Sequence, residues 1–156
     1  MSVGLIDYVL FHMHDWQLFD DSRFTLEFKY PRLATDGEPV EWVETQQAQM
    51  LRVHILSPKS REVYFEVSKY GLLTAKSAYQ LHKENLTKQF HQLSITELRE
   101  THCESLPAYE YTFKWDQGTR TVILVERDNG TYRIPYNPRF SVNLQILSTL
   151  QWHNLT

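Results

Sequence analysis

Cysteine is nearly missing from this chain, and its one copy, Cys103, excludes an internal disulfide framework and a cysteine-rich zinc site. Glycine and proline are sparse, at five and six residues. That excludes a collagen-like repeat and argues against extended disorder. No run approaches the roughly twenty apolar residues of a membrane-spanning helix, so no membrane span is expected. A basic excess is also lacking. The net charge is −3 and the lysines and arginines are scattered, which argues against nucleic acid and anionic membrane surfaces as partners. Met1–Phe11 has apolar residues but no basic region and carries Asp7, so no secretory signal is expected and the localisation read from the sequence is cytoplasmic. On that reading the triplets beginning at Asn85, Asn129 and Asn154 are chance matches to a glycosylation pattern.

Aromatic residues are plentiful at 13% of 156 residues, a length that suits one domain with a real core. They are also patterned. Tyr109, Tyr111, Phe113 and Trp115 alternate with Glu110, Thr112 and Lys114, the period of a half-buried strand. Alternation with polar residues is how an ordinary sheet face reads, so core packing is preferred over ligand stacking. Asp116-Gln117-Gly118 supplies a turn, where glycine can take positive φ. Val122–Val125 is apolar at every position, as a central strand covered on both faces requires. Asp128-Asn129-Gly130 is a second turn. Tyr132, Ile134 and Tyr136 then alternate with Arg133 and Pro135, and Pro135 marks an edge or a strand terminus because it has no N–H to donate. Phe140, Leu144, Leu147 and Leu150, with Ile146 beside them, predict one helix face after a Ser141 cap.

Upstream, Phe24, Leu26, Phe28 and Tyr30 predict a strand stopped by Pro31, with a short strand around Trp16 and Leu18 before it. Residues 32–45 read as a loop around Asp36-Gly37-Glu38-Pro39. Trp42 near its end is either a lid over the core or a binding anchor. Leu51, Val53 and Ile55, then Val63, Phe65 and Val67, predict a hairpin about Ser57-Pro58-Lys59-Ser60. From Ala75 the period becomes helical through Ala78, Tyr79, His82, Leu86 and Phe90, capped by Thr74 or by Ser77 with Gln80. Ser94–Glu104 reads as a strand delivered into the Tyr109 strand through Ser105-Leu106-Pro107.

Few residues carry candidate chemistry. His12 and His14 share a face if extended and can share a metal, but a site needs a third and usually a fourth ligand. His82 lies on the inner stripe of its helix, where packing is favoured over a catalytic base, because no nucleophile or carboxylate stands at a recognisable spacing. His102 and Cys103 are neighbours whose side chains point to opposite faces of a strand, so Cys103 reads as a small core residue. The order of elements is an α+β arrangement with a mostly antiparallel sheet and two main helices.

Phe24-Thr-Leu-Glu-Phe-Lys-Tyr-Pro31, the helix Gln80–Phe90, Leu106-Pro-Ala-Tyr-Glu-Tyr111, Asn129-Gly-Thr-Tyr-Arg-Ile134 and Asn143–Trp152 together resemble the PsbP-like family. That family includes the extrinsic photosystem II subunit and a Ran-binding nuclear import factor. The resemblance implies an αβα sandwich with a central antiparallel sheet over residues 24–156, and the chain departs from the family in residues 1–23, read as an N-terminal extension with an edge strand. It further implies a non-enzymatic binding or assembly factor with a protein partner, no cofactor and no catalytic residues. The alternative is a small-molecule-binding or enzymatic domain with a pocket between helix and sheet.

Overall fold

The computed structural model of the chain describes residues 16–31, 39–46, 48–54, 64–139 and 141–153. Eleven strands and two helices are found among them. In chain order they are β1 (Gln17–Asp20), β2 (Leu26–Tyr30), β3 (Val40–Glu44), β4 (Ala48–His54), β5 (Tyr64–Gly71), α1 (Ala75–Gln89), β6 (Ser94–Ile95), β7 (Arg99–Cys103), β8 (Leu106–Trp115), β9 (Gly118–Arg127), β10 (Gly130–Tyr136), α2 (Ser141–Ser148) and β11 (Gln151–Trp152). The large sheet has the order β3-β4-β5-β10-β9-β8-β6, with β7 also on β8, and the small sheet has the order β1-β2-β11. Every pairing is antiparallel. The chain is therefore an α+β protein dominated by antiparallel sheet.

β9 is apolar on both faces because both are covered. Val122 and Leu124 face α1, where they pack with Ala75, Ala78, Tyr79, Leu86, Tyr111 and Phe113. Ile123 and Val125 face the other way, into a larger core shared with the small sheet and α2. That core holds Leu26 and Phe28 of β2, Leu51 and Val53 of β4, Phe65 and Val67 of β5, and Val142 and Ile146 of α2. Phe28 stacks on Phe19 and meets the Phe65 ring edge-on, with centroids 4.9 and 5.0 Å apart, so aromatic contacts tie the two sheets together. Strand β1, inside the segment read as an N-terminal extension, contributes Phe19 to this core.

Turns follow local chemistry. Asp128 and Asn129 sit at φ 59° and 58°, the pair of left-handed residues that a two-residue hairpin loop needs to match strand twist. Gly130 opens β10 opposite Gly71, and a Cβ there would lie 2.3 Å from the Tyr70 carbonyl oxygen. Its role is close backbone approach. Gly118, expected to supply positive φ, lies outside the left-handed region and instead leaves room for the Trp115 ring, 3.5 Å from where its Cβ would be. Pro135 sits where β10 has lost β5 and pairs with β9 alone, so its missing N–H disturbs no ladder.

Three further expectations need correction. Residues 40–44 are a strand, not the end of a loop: Val40 and Trp42 face the core while Glu41 pairs across from Arg52. The Gly37 and Pro39 signals masked this short edge strand. The buried face of α2 is Val142 and Ile146, continued by Leu150, whereas Leu144 is 45% exposed. Docking on β2 selected that face, and Asn143 locks it by accepting the Asn137 N–H at 3.1 Å. Finally, the turn before β8 is Glu104-Ser105, with Glu104 at φ 57°, and Leu106 and Pro107 already belong to the strand. Thr74 caps α1 through the Ser77 N–H at 3.1 Å. The Ser57–Ser60 turn, Ile55, Val63 and Phe140 lie outside the described residues.

Gly130→Ala is expected to destabilise the fold by about 2–3 kcal/mol, because the new methyl group meets backbone rather than a movable side chain. Urea unfolding measures this, and an unchanged midpoint would refute the close-approach role.

Candidate functional site

Two concave regions lie at the ends of α1. The first is a cleft of about 310 Å³ between the second half of α1 and the large sheet. Its floor comes from one sheet face, where Glu66 of β5, Arg133 of β10 and Arg120 of β9 stand among aromatic residues. Strand order creates this neighbourhood: β10 lies between β5 and β9, so residues 66, 120 and 133 share a floor although the sequence separates them. The roof is His82, Leu86, Gln89 and Phe90.

The polar groups of this cleft are organised around Glu66. It faces Arg52 in register, receives the Arg52 Nε–H at 3.1 Å on one oxygen, and receives Arg133 Nη2 at 3.3 Å on the other. Arg133 is 9% exposed, and Ser68 accepts a further long contact from Nη2 at 3.5 Å. Among the described residues Arg133 Nε has no hydrogen-bond partner, and neither does the buried Asn143 Nδ2. Such unmet donors are uncommon in a folded interior. The aromatic wall is a stack: Trp115 lies between Phe113 and Phe90, with centroids 5.4 and 5.5 Å away, and the Arg120 guanidinium lies 5.3 Å from the Trp115 ring.

His82 packs against Tyr111 and Phe113, and its Nδ1 is hydrogen-bonded to the Tyr111 hydroxyl. Burial, with the Arg133 charge adding to it, lowers the His82 pKa to about 3. Burial also raises the Tyr111 pKa, so that hydroxyl keeps its proton. Two neutral groups then share the bond. A histidine this weakly basic is a poor proton acceptor at neutral pH.

The second region is an open apolar groove of about 630 Å³ at the start of α1, lined by Ala48, Gly71, Leu72, Leu73 and Leu81 among others. Leu72 follows β5 with φ 63° and is 90% exposed. Its N–H donates to the Asn129 carbonyl at 2.8 Å, and Thr131 Oγ1 donates to the Leu73 carbonyl at 2.7 Å. The connection into α1 is thus pinned to the β9–β10 turn. Left-handed backbone costs a bulky residue roughly 1–2 kcal/mol, and here no burial of its own side chain offsets it.

The other candidates resolve plainly. His12 and His14 lie outside the described residues. Trp42 is half-buried over the large core, with Phe24 5.3 Å from one side of it and the Arg23 guanidinium 3.5 Å from its centroid. That is the lid position. Asp21 holds Arg23 there through hydrogen bonds at 2.8 and 2.9 Å, which lower the Asp21 pKa to about 2. Cys103 is buried in the large core as expected, and burial raises its thiol pKa. Asp20, Glu27 and His153, far apart in sequence, place their ligand atoms within 4.8 Å of one another on the small sheet. His153 Nε2 is 3.3 Å from Asp20, an arrangement that a surface ion pair accounts for. No known family model and no curated protein matches the sequence.

An NMR titration of the histidine rings tests the His82 environment. Its ring is expected to stay neutral as pH falls from 7 to 4. Because the folded pKa lies below the unfolded one, His82 contributes stability that is complete above about pH 6.5 and is lost as pH falls toward 3. Replacing His82 by Leu should flatten the stability profile across that window, and an unaltered slope would contradict the assignment.

Proposed function

We propose that the chain is a non-enzymatic binding or assembly domain of the PsbP-like kind, with the αβα arrangement which that family implies, and that it docks a protein partner at the groove beside Leu72. Support for the family reading comes from element order. The elements that carry it are strand β2 ending at Tyr30 before Pro31, a long helix reaching Gln89, the β8–β10 meander and a helix before Trp152. The layers are also compatible with it: α1 covers one face of the large sheet, while α2 and the small sheet cover the other.

Leu72 is the observation that carries the docking site. A large apolar side chain held in left-handed backbone and turned to solvent contributes nothing to folding that glycine would not supply with less strain. Such local cost is typical of residues kept for recognition. Beside it the groove offers apolar walls of Ala48, Leu73 and Leu81, into which a partner side chain can be buried.

Leu72→Gly is expected to raise stability by about 1 kcal/mol and to weaken partner binding. Affinity capture under mild cross-linking should recover a stoichiometric protein with the natural chain and lose it with Leu72→Asp. Equal recovery by both would reject the groove as the docking site.

A further inference from the structure

The cleft under the second half of α1 has a composition that the docking groove does not explain. Its lining carries one carboxylate, Glu66, and two arginines, Arg120 and Arg133. Glu66 is already shared between Arg52 and Arg133. His82, with its pKa lowered by burial, adds no positive charge at neutral pH. The charged groups of the lining therefore leave one positive charge in surplus.

The unmet donors of the cleft belong to buried groups. Arg133 is 9% exposed and Asn143 is 5% exposed. Glu66 and Ser68 meet only Nη2 of Arg133, at long distances, and Nε is without a partner among the described residues. Asn143 uses its oxygen on Asn137 and leaves Nδ2 unmet. A buried arginine with an unmet donor is costly unless an acceptor completes it. Opposite these donors stands the Phe90–Trp115–Phe113 stack, which offers apolar surface but no acceptor.

We infer that this cleft binds a small organic monocarboxylate, its oxygens directed to the Arg133 and Arg120 side and its apolar body against the Trp115 wall. Arginine matches a carboxylate in shape and charge. A cleft of about 310 Å³ suits a compact ring acid rather than a long chain or a nucleotide. This binding is independent of the Leu72 groove, which lies at the opposite end of α1 and shares no lining residue with it.

Benzoate is the first probe, followed by NMR at the Arg133 Nε–H and the Trp115 indole N–H of the full chain. Saturable shifts at both are expected, with benzamide, which has the same ring and no charge, weaker by about tenfold or more. Arg120→Met, on the less buried arginine, should weaken benzoate about two- to fivefold. Arg133→Met should abolish binding, and its amide spectrum reports whether the fold survives. If it does not, the benzamide and Arg120 comparisons decide alone. No saturable shift, an equal response to benzamide, or an equal response to inorganic phosphate would each overturn the inference.

Discussion

The two-sided burial of β9 is the constraint on which the rest of the structure depends. Val122 through Val125 leave no face of that strand fit for water. A sheet built around it must be covered twice, and the chain supplies unlike covers. α1 lies on one face through Ala75, Ala78, Tyr79 and Leu86. On the other face the small sheet and α2 close a larger core around Phe28, Phe65 and Ile146. Neither cover stands alone: a three-stranded sheet whose longest strand has five residues gains its stability from the surface it buries.

The two covers differ in reach, and that difference places the chemistry. α1 packs on β8 and β9, with Tyr70 of β5 at its margin, and no residue of β3 or β4 joins that cluster. On the uncovered half of that face the strands carry polar residues in register: Glu41 opposite Arg52, and Arg52 opposite Glu66, with Arg133 next in line on β10. At the boundary between the covered and uncovered halves, charge meets aromatic wall. The cleft sits there, where burial lowers the His82 pKa and raises that of Tyr111, and where Arg133 is only partly satisfied by its neighbours. The Leu72 groove arises at the other end of the same helix, where the chain must turn from β5 into α1 while Gly130 packs tightly beneath it.

Much of this architecture is local enough to be read from sequence. Alternation in Tyr109–Trp115 and Phe24–Tyr30, unbroken apolarity in β9 and the helical stripe after Thr74 each depend on the period of one element. The Asp128-Asn129 turn depends on two residues that tolerate left-handed backbone. Cys103 in the core and His82 in a packed seam follow from the same patterns, and the inward position of Trp42 was one of the two roles its type allowed.

Tertiary structure alone decided the remainder, because those features depend on which distant segments become neighbours. β3 exists as a strand because β4 offers it an edge, and its own five residues signal too weakly against Gly37 and Pro39. The face of α2 was chosen by β2 and the Asn143–Asn137 bond, which bury Val142 and Ile146 in place of the face through Leu144 that periodicity predicts. The left-handed Leu72 is imposed by the hydrogen bond from its N–H to the Asn129 carbonyl, more than fifty positions away. Above all, no spacing in the sequence joins Glu66, His82, Arg120, Arg133 and Asn143. They meet because β10 inserts between β5 and β9, a matter of strand order that local periodicity does not encode.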